Sequence, residues 1–183
     1  AHLTSKNWST VHFRGRLCLP LVLNNPSTLE TMAENVFEVE IPLRWGDMDA
    51  YGHVNNVTMF QILEEARVAV FGMPPSSGEP VAESPRPRVH LFETFPDGVQ
   101  ALIAEHHAKY HSPLPYRGLK VKVDVAITEV TAASFTISYR VFDPHTSTLC
   151  VSASTVLAFF NATTGTLTRL NKAQRTELES FIN

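Results

Sequence analysis

The chain has 183 residues, enough for one domain with a substantial core and no need of disulfide staples. Apolar residues make up 44% of it, the formal charge is −3 and the pI about 6.2. That balance argues against membrane-spanning and disordered classes, and gives no reason to expect nucleic acid as a partner.

Residues 1–31 differ in character from the rest of the chain. They carry no acidic group before Glu30, hold Lys6, Arg14 and Arg16, and include a short apolar patch, Leu17 to Leu23. A basic flank before an apolar run is faintly signal-like, but Pro20 interrupts the run and no small-x-small cleavage pattern comes after it. We read 1–31 as an N-terminal extension, either a leader, an upstream extension or added sequence, and 32–183 as the domain, opening at Met32. Cys18 and Cys150 make neither a framework nor a metal spacing, which fits free thiols in a reducing compartment, the cytoplasm.

Val36 to Leu43 alternates apolar and polar residues and predicts a strand, with Pro42 marking an edge or an end. The next segment runs Arg44-Trp45-Gly46-Asp47-Met48-Asp49-Ala50-Tyr51-Gly52-His53-Val54-Asn55-Asn56. Its last ten residues hold two carboxylates, an imidazole and two amides. Asn55 or Asn56 predicts a helix cap, and the helix runs to about Phe71, stopped by Gly72 and Pro74. Met59, Ile62, Leu63, Ala66 and Val70 share one face; Val57, Phe60, Val68 and Phe71 add apolar surface, which predicts burial on most sides. Pro74 to Pro87 reads as a surface loop. Val99 to His111 suits a helix or a strand locally; the strands after it favour a strand. Leu119 to Ile127, Phe135 to Val141 and Leu149 to Phe160 alternate in the same way. The connections at 131–134 and 143–146 are short enough for hairpins. A last helix spans Asn171–Phe181. The expected order is strand, long buried helix, then a meander of four long strands: an α+β fold with helical elements on one face of an antiparallel sheet.

On these residues the chain resembles the hotdog-fold thioesterases of the 4-hydroxybenzoyl-CoA thioesterase type. The likeness is carried by Arg44 to Asn56, by Glu64-Glu65-Ala66-Arg67, by His107 to Leu114 with its Tyr110, Pro113 and Leu114, and by Ser134 to Phe142. It implies a five-stranded antiparallel sheet wrapped around a long central helix. It also implies homodimers, joined sheet edge to sheet edge, or homotetramers, with sites at the subunit interface. The implied activity is hydrolysis of acyl-CoA thioesters to free acid and coenzyme A, with no cofactor.

Thioester hydrolysis needs an attacking water or carboxylate and donors for the developing oxyanion. The resemblance assigns the first role to Asp49, as general base or as nucleophile. Amides at the helix start, near Asn56 and Val57, supply the second. His53 is an expected helper, or else a tether of the loop; Asn56 stands where one branch of the family has histidine, and its amide can position thioester or water. Asp47 is expected to brace the loop and Asn55 to cap the helix at the edge of the substrate site. Glu64 is either a partner of Arg67 or a substrate contact. Arg117 and Lys120, with Arg86, Arg88 and Lys122, are the cations available to coenzyme A phosphates. His106, His107 and His111 on a strand are spread too widely for one metal ion, about 13 Å from 107 to 111, so no metal is expected. The competing readings are a thioesterase acting on acyl-carrier-protein, which calls for a basic docking surface, and a non-catalytic hotdog domain that binds acyl-CoA.

Overall fold

The computed structural model describes residues 35–75 and 86–182. The expectations for residues 1–31, for Cys18 and for most of the Pro74–Pro87 loop lie outside those residues. Two helices and six strands are seen, in the order β1 (Phe37–Ile41), α1 (Asn56–Phe71), β2 (Val99–Tyr110), β3 (Val121–Val130), β4 (Ser134–Phe142), β5 (Leu149–Asn161), β6 (Thr166–Leu167) and α2 (Lys172–Glu179). Short 3-10 turns precede α1 at Trp45–Asp47 and β2 at Leu91–Thr94.

The sheet is antiparallel, curled, and ordered β1-β3-β4-β5-β2, with the two-residue β6 folded back on β5. This corrects the expected four-strand meander. Only β3, β4 and β5 follow one another as hairpin neighbours; β2 lies on the far edge beside β5. Alternation within a strand reports which face is buried, and says nothing about which strand lies alongside. β1 is the other edge, in keeping with Pro42 just past its end. Bulges between Ile103 and Glu105 and between Ile127 and Glu129 add local twist, which helps the sheet curl.

The inner face of the sheet follows from period two. Val121, Val123, Val125 and Ile127 of β3 are buried, as are Phe135, Ile137, Tyr139 and Val141 of β4. Against this surface lie Met59, Ile62, Leu63, Ala66, Val70 and Phe71 of α1, which packs chiefly on β1 and β3. The predicted apolar stripe is therefore the buried one. The helix is not buried all round: Gln61, Glu64 and Glu65 are exposed and Val57 is 67% exposed.

Aromatic packing closes one end of the core. Phe71, on the last turn of α1, meets Phe135 at 5.3 Å, and Phe159 stacks on Phe95 at 4.2 Å. The opposite end of α1, its N-terminus, lies beside Tyr110, whose hydroxyl donates to Asn56 O at 3.3 Å. α2 begins at a reciprocal capping box between Asn171 and Gln174 and buries Leu178.

Candidate active site

The loop before α1 is tied by its own side chains. Asp47 accepts from the Arg44 amide at 2.6 Å, and its carbonyl accepts from Asn55 N at 2.8 Å. Asp47 thus braces the loop, as expected of it. Asp49 organises the next turn: its Oδ1 accepts from Tyr51 N at 2.8 Å and from His53 N at 3.0 Å. The Asp49 amide donates to His53 O at 2.7 Å, which closes the turn. Gly52 sits in it at φ 77°, a left-handed conformation that glycine adopts without a Cβ penalty.

Asn55 is the helix cap: its Oδ1 accepts from Val57 N at 2.8 Å. This decides between the two asparagines and has a chemical consequence. The Val57 amide, one of the two N–H groups expected to meet an oxyanion, is already spent. The amide of Asn56 has no partner among the described residues, and the Asn56 side chain is likewise without a hydrogen bond there.

A second segment backs the loop. Val54 N donates to Leu114 O at 2.8 Å, Tyr116 N donates to Gly52 O at 2.9 Å, and His53 pairs with Pro115 in an isolated bridge. Between loop and segment lies a cavity of about 400 Å³. Asp49, His53, Asn55 and Asn56 line one side; Tyr110 and residues 111–114 line the other, with Val54, Met59 and Val151 also contributing.

The structure therefore brings together four residues that the sequence singled out. Val57, Glu64, Arg117 and Lys120 do not line this cavity. Val57 faces outward on the first turn of α1. Glu64, 62% exposed, holds Arg67 at 3.2 Å. Arg117 pairs with Asp143 at 3.2 Å and Lys120 with Glu40 at 3.5 Å. Tyr110 and the 112–114 turn carry part of the family likeness, but sequence reasoning assigns them no role. Their place opposite Asp49 follows from pairing between segments distant in sequence, which no local pattern carries.

The Asp49 carboxyl is held below the usual aspartate range, chiefly by the His53 amide. Partial desolvation opposes this, while the Tyr51 amide and the charge of His53 add to it. With Oδ1 engaged by two amides, Oδ2 has no hydrogen bond among the described residues. The Tyr110 phenol is pushed up by burial and stays protonated at neutral pH, as a donor must. Among the described residues no three His, Cys, Asp or Glu side chains group to hold a metal ion. His106 is directed to Thr155 at 2.9 Å and His111 to Ser152 at 2.7 Å. No helix among the described residues is long and apolar enough to cross a membrane.

Comparison with known proteins converges on one group. The family profile described as the thioesterase-like superfamily matches residues 43–181, well over half of the chain. A search of curated proteins finds none that matches. Among solved structures, a predicted thioesterase from Bacillus stearothermophilus is 21% identical, with 81% of this chain and 97% of that one covered at a TM-score of 0.61. Slr0204, a 1,4-dihydroxy-2-naphthoyl-CoA thioesterase from Synechocystis, is 16% identical, covering 78% and 95% at 0.57. A thioesterase from Thermus thermophilus, complexed with coenzyme A and Zn, is 19% identical, covering 79% and 92% at 0.57. At these identities the likeness is one of fold.

Proposed function

Because the chain belongs to the thioesterase-like superfamily, we propose that it hydrolyses acyl-CoA thioesters to free acid and coenzyme A, with Asp49 as the reacting carboxylate. One observation carries the reading. Asp49 lines a cavity with one oxygen fixed by two amides and the other free, close in sequence and space to the open N-terminus of α1.

In this reading the thioester carbonyl sits at the start of α1, where the Asn56 amide and the positive end of the helix dipole meet the developing oxyanion. Asp49 Oδ2 takes a proton from an attacking water. Alternatively it attacks the carbonyl carbon itself and forms an anhydride that water then opens. In either route the C–S bond breaks and the sulfur leaves as thiolate, a good leaving group that needs no metal; it takes its proton from the Asp49 carboxyl in the first route and from water in the second. His53 orients the water or the carboxylate, and the Asn56 side chain positions water or thioester. Asn55 serves by fixing the helix start. Val57 and Glu64 belong to the face of α1 beyond the cavity. We read Arg117 and Lys120 as members of structural ion pairs; Lys120, 61% exposed, is the better placed of the two to meet a coenzyme A phosphate.

The coenzyme A in the Thermus thermophilus neighbour supports that class of substrate. The resemblance of Arg44 to Asn56 and the later segments to hotdog thioesterases is the ground for taking α1 as the central helix about which the sheet wraps, and a homodimer or homotetramer as the working state. Cysteine usage is the ground for assigning the cytoplasm.

A panel of short, long and aromatic acyl-CoA substrates, read by thiol release, tests the proposal. Turnover of at least one is the expected result. Hydrolysis of acyl-carrier-protein thioesters alone would move the substrate class. Binding of a nonhydrolysable acyl-CoA without turnover of any thioester would leave a binding domain instead.

A further inference from the structure

The segment 111–118 leaves the end of β2, and its first four residues, 111–114, line one wall of the cavity. Its backbone contacts to Gly52, His53 and Val54 mean that the Asp49 loop sits where this segment sits. One end of the segment is fixed on β5: Cys150 O accepts from His111 N at 2.8 Å, and Leu149 O accepts from Ser112 Oγ at 3.3 Å.

Toward the far end, Arg117 ties the segment to the β4–β5 turn. Arg117 Nη2 donates to Asp143 Oδ2 at 3.2 Å. The Asp143 side chain is only 6% exposed, and its other oxygen accepts from His145 N at 2.8 Å. Its own amide donates to Thr148 O at 2.9 Å, so Asp143 is built into the β4–β5 turn. Turn amides and the Arg117 cation together stabilise this buried carboxylate, and Arg117 lies three residues beyond the cavity-lining stretch 111–114.

We propose that the Asp143–Arg117 pair is a positioning device for the active site. It locks the far end of 111–118, which sets the place of His53, and through the His53 amide it sets the direction of the Asp49 carboxylate. Neither residue lines the cavity, so neither is catalytic; both act through the loop. The kinetic part of the test rests on the thioesterase reading above.

Wild type, Asp143→Asn, Arg117→Met, the double variant and Arg117→Lys are compared at a temperature where each is folded. The expected result is a kcat lowered about tenfold or more in each single variant, with little change in KM. The double variant falls no further, because both changes remove one interaction, and Arg117→Lys recovers part of the loss. In the same variants the amide NMR signals of Tyr51 to Val54 shift. A lower Tm with wild-type kcat and unmoved amide signals would overturn the inference and leave the pair purely structural. If Asp143→Asn does not fold, the variants of the exposed Arg117 decide alone. If wild type hydrolyses no thioester, the functional reading falls, and the amide signals still decide this one.

Discussion

At Asp49 the two carboxylate oxygens have different fates, and the split comes from two nearby residues. Tyr51 and His53 amides hold Oδ1 and lower the carboxyl pKa, so the group stays ionised well into acid. The sign of the pH dependence follows. A carboxylate needed in its charged form fails only as pH drops through its folded pKa, here below the 3.8 of an ordinary aspartate. The acid limb of kcat/KM should therefore lie below that value. A limb centred near pH 6 to 7, measured with one acyl-CoA, would put control on an imidazole instead. The residue types and spacing of this loop are legible in the sequence. The allocation of its amides is not, because donors at Val57 and Asn56 look alike until the cap is seen.

At the scale of elements, the site depends on how α1 begins. Asn55 accepts from Val57 N, and so leaves Asn56 at the head of the helix with its amide open. Replacing Asn55 with Ala should cost about 1 kcal/mol of stability, the usual worth of such a cap; denaturant melts read this directly. A loss indistinguishable from zero would mean that packing alone sets the helix start. The helix is readable because Met59, Ile62, Leu63, Ala66 and Val70 repeat at helical spacing and the core accepts that face. Each long strand is readable by alternation. The placement of β2 beside β5 is not, since the crossover through residues 111–120 has no periodic signature. The same crossover hides the second wall of the cavity, so half of the site is invisible in the sequence for the reason that the strand order is.

For the whole molecule, β2 is the informative edge. It is twelve residues long, stands last in the strand order of the described residues beside β5, and leaves Leu102 and Ile103 each about 45% exposed. A long outer strand with exposed apolar side chains invites pairing with another strand. In the proposed homodimer a second copy covers it. Leu102→Asp should then shift the mass in light scattering from dimer or tetramer toward monomer. A wild-type protein that is already monomeric at micromolar concentration would contradict that assembly.

Under the proposed function, the free oxygen of Asp49 carries out thioester hydrolysis. The direct test is the hydrolysis rate of wild type against Asp49→Asn on an acyl-CoA that wild type turns over, with circular dichroism to confirm that the variant is folded. The asparagine can keep the contacts to the Tyr51 and His53 amides through its carbonyl oxygen, while the second oxygen becomes an amide nitrogen. A folded variant with kcat lowered at least about 100-fold is the expected result. A folded variant with wild-type turnover would remove Asp49 from the chemistry.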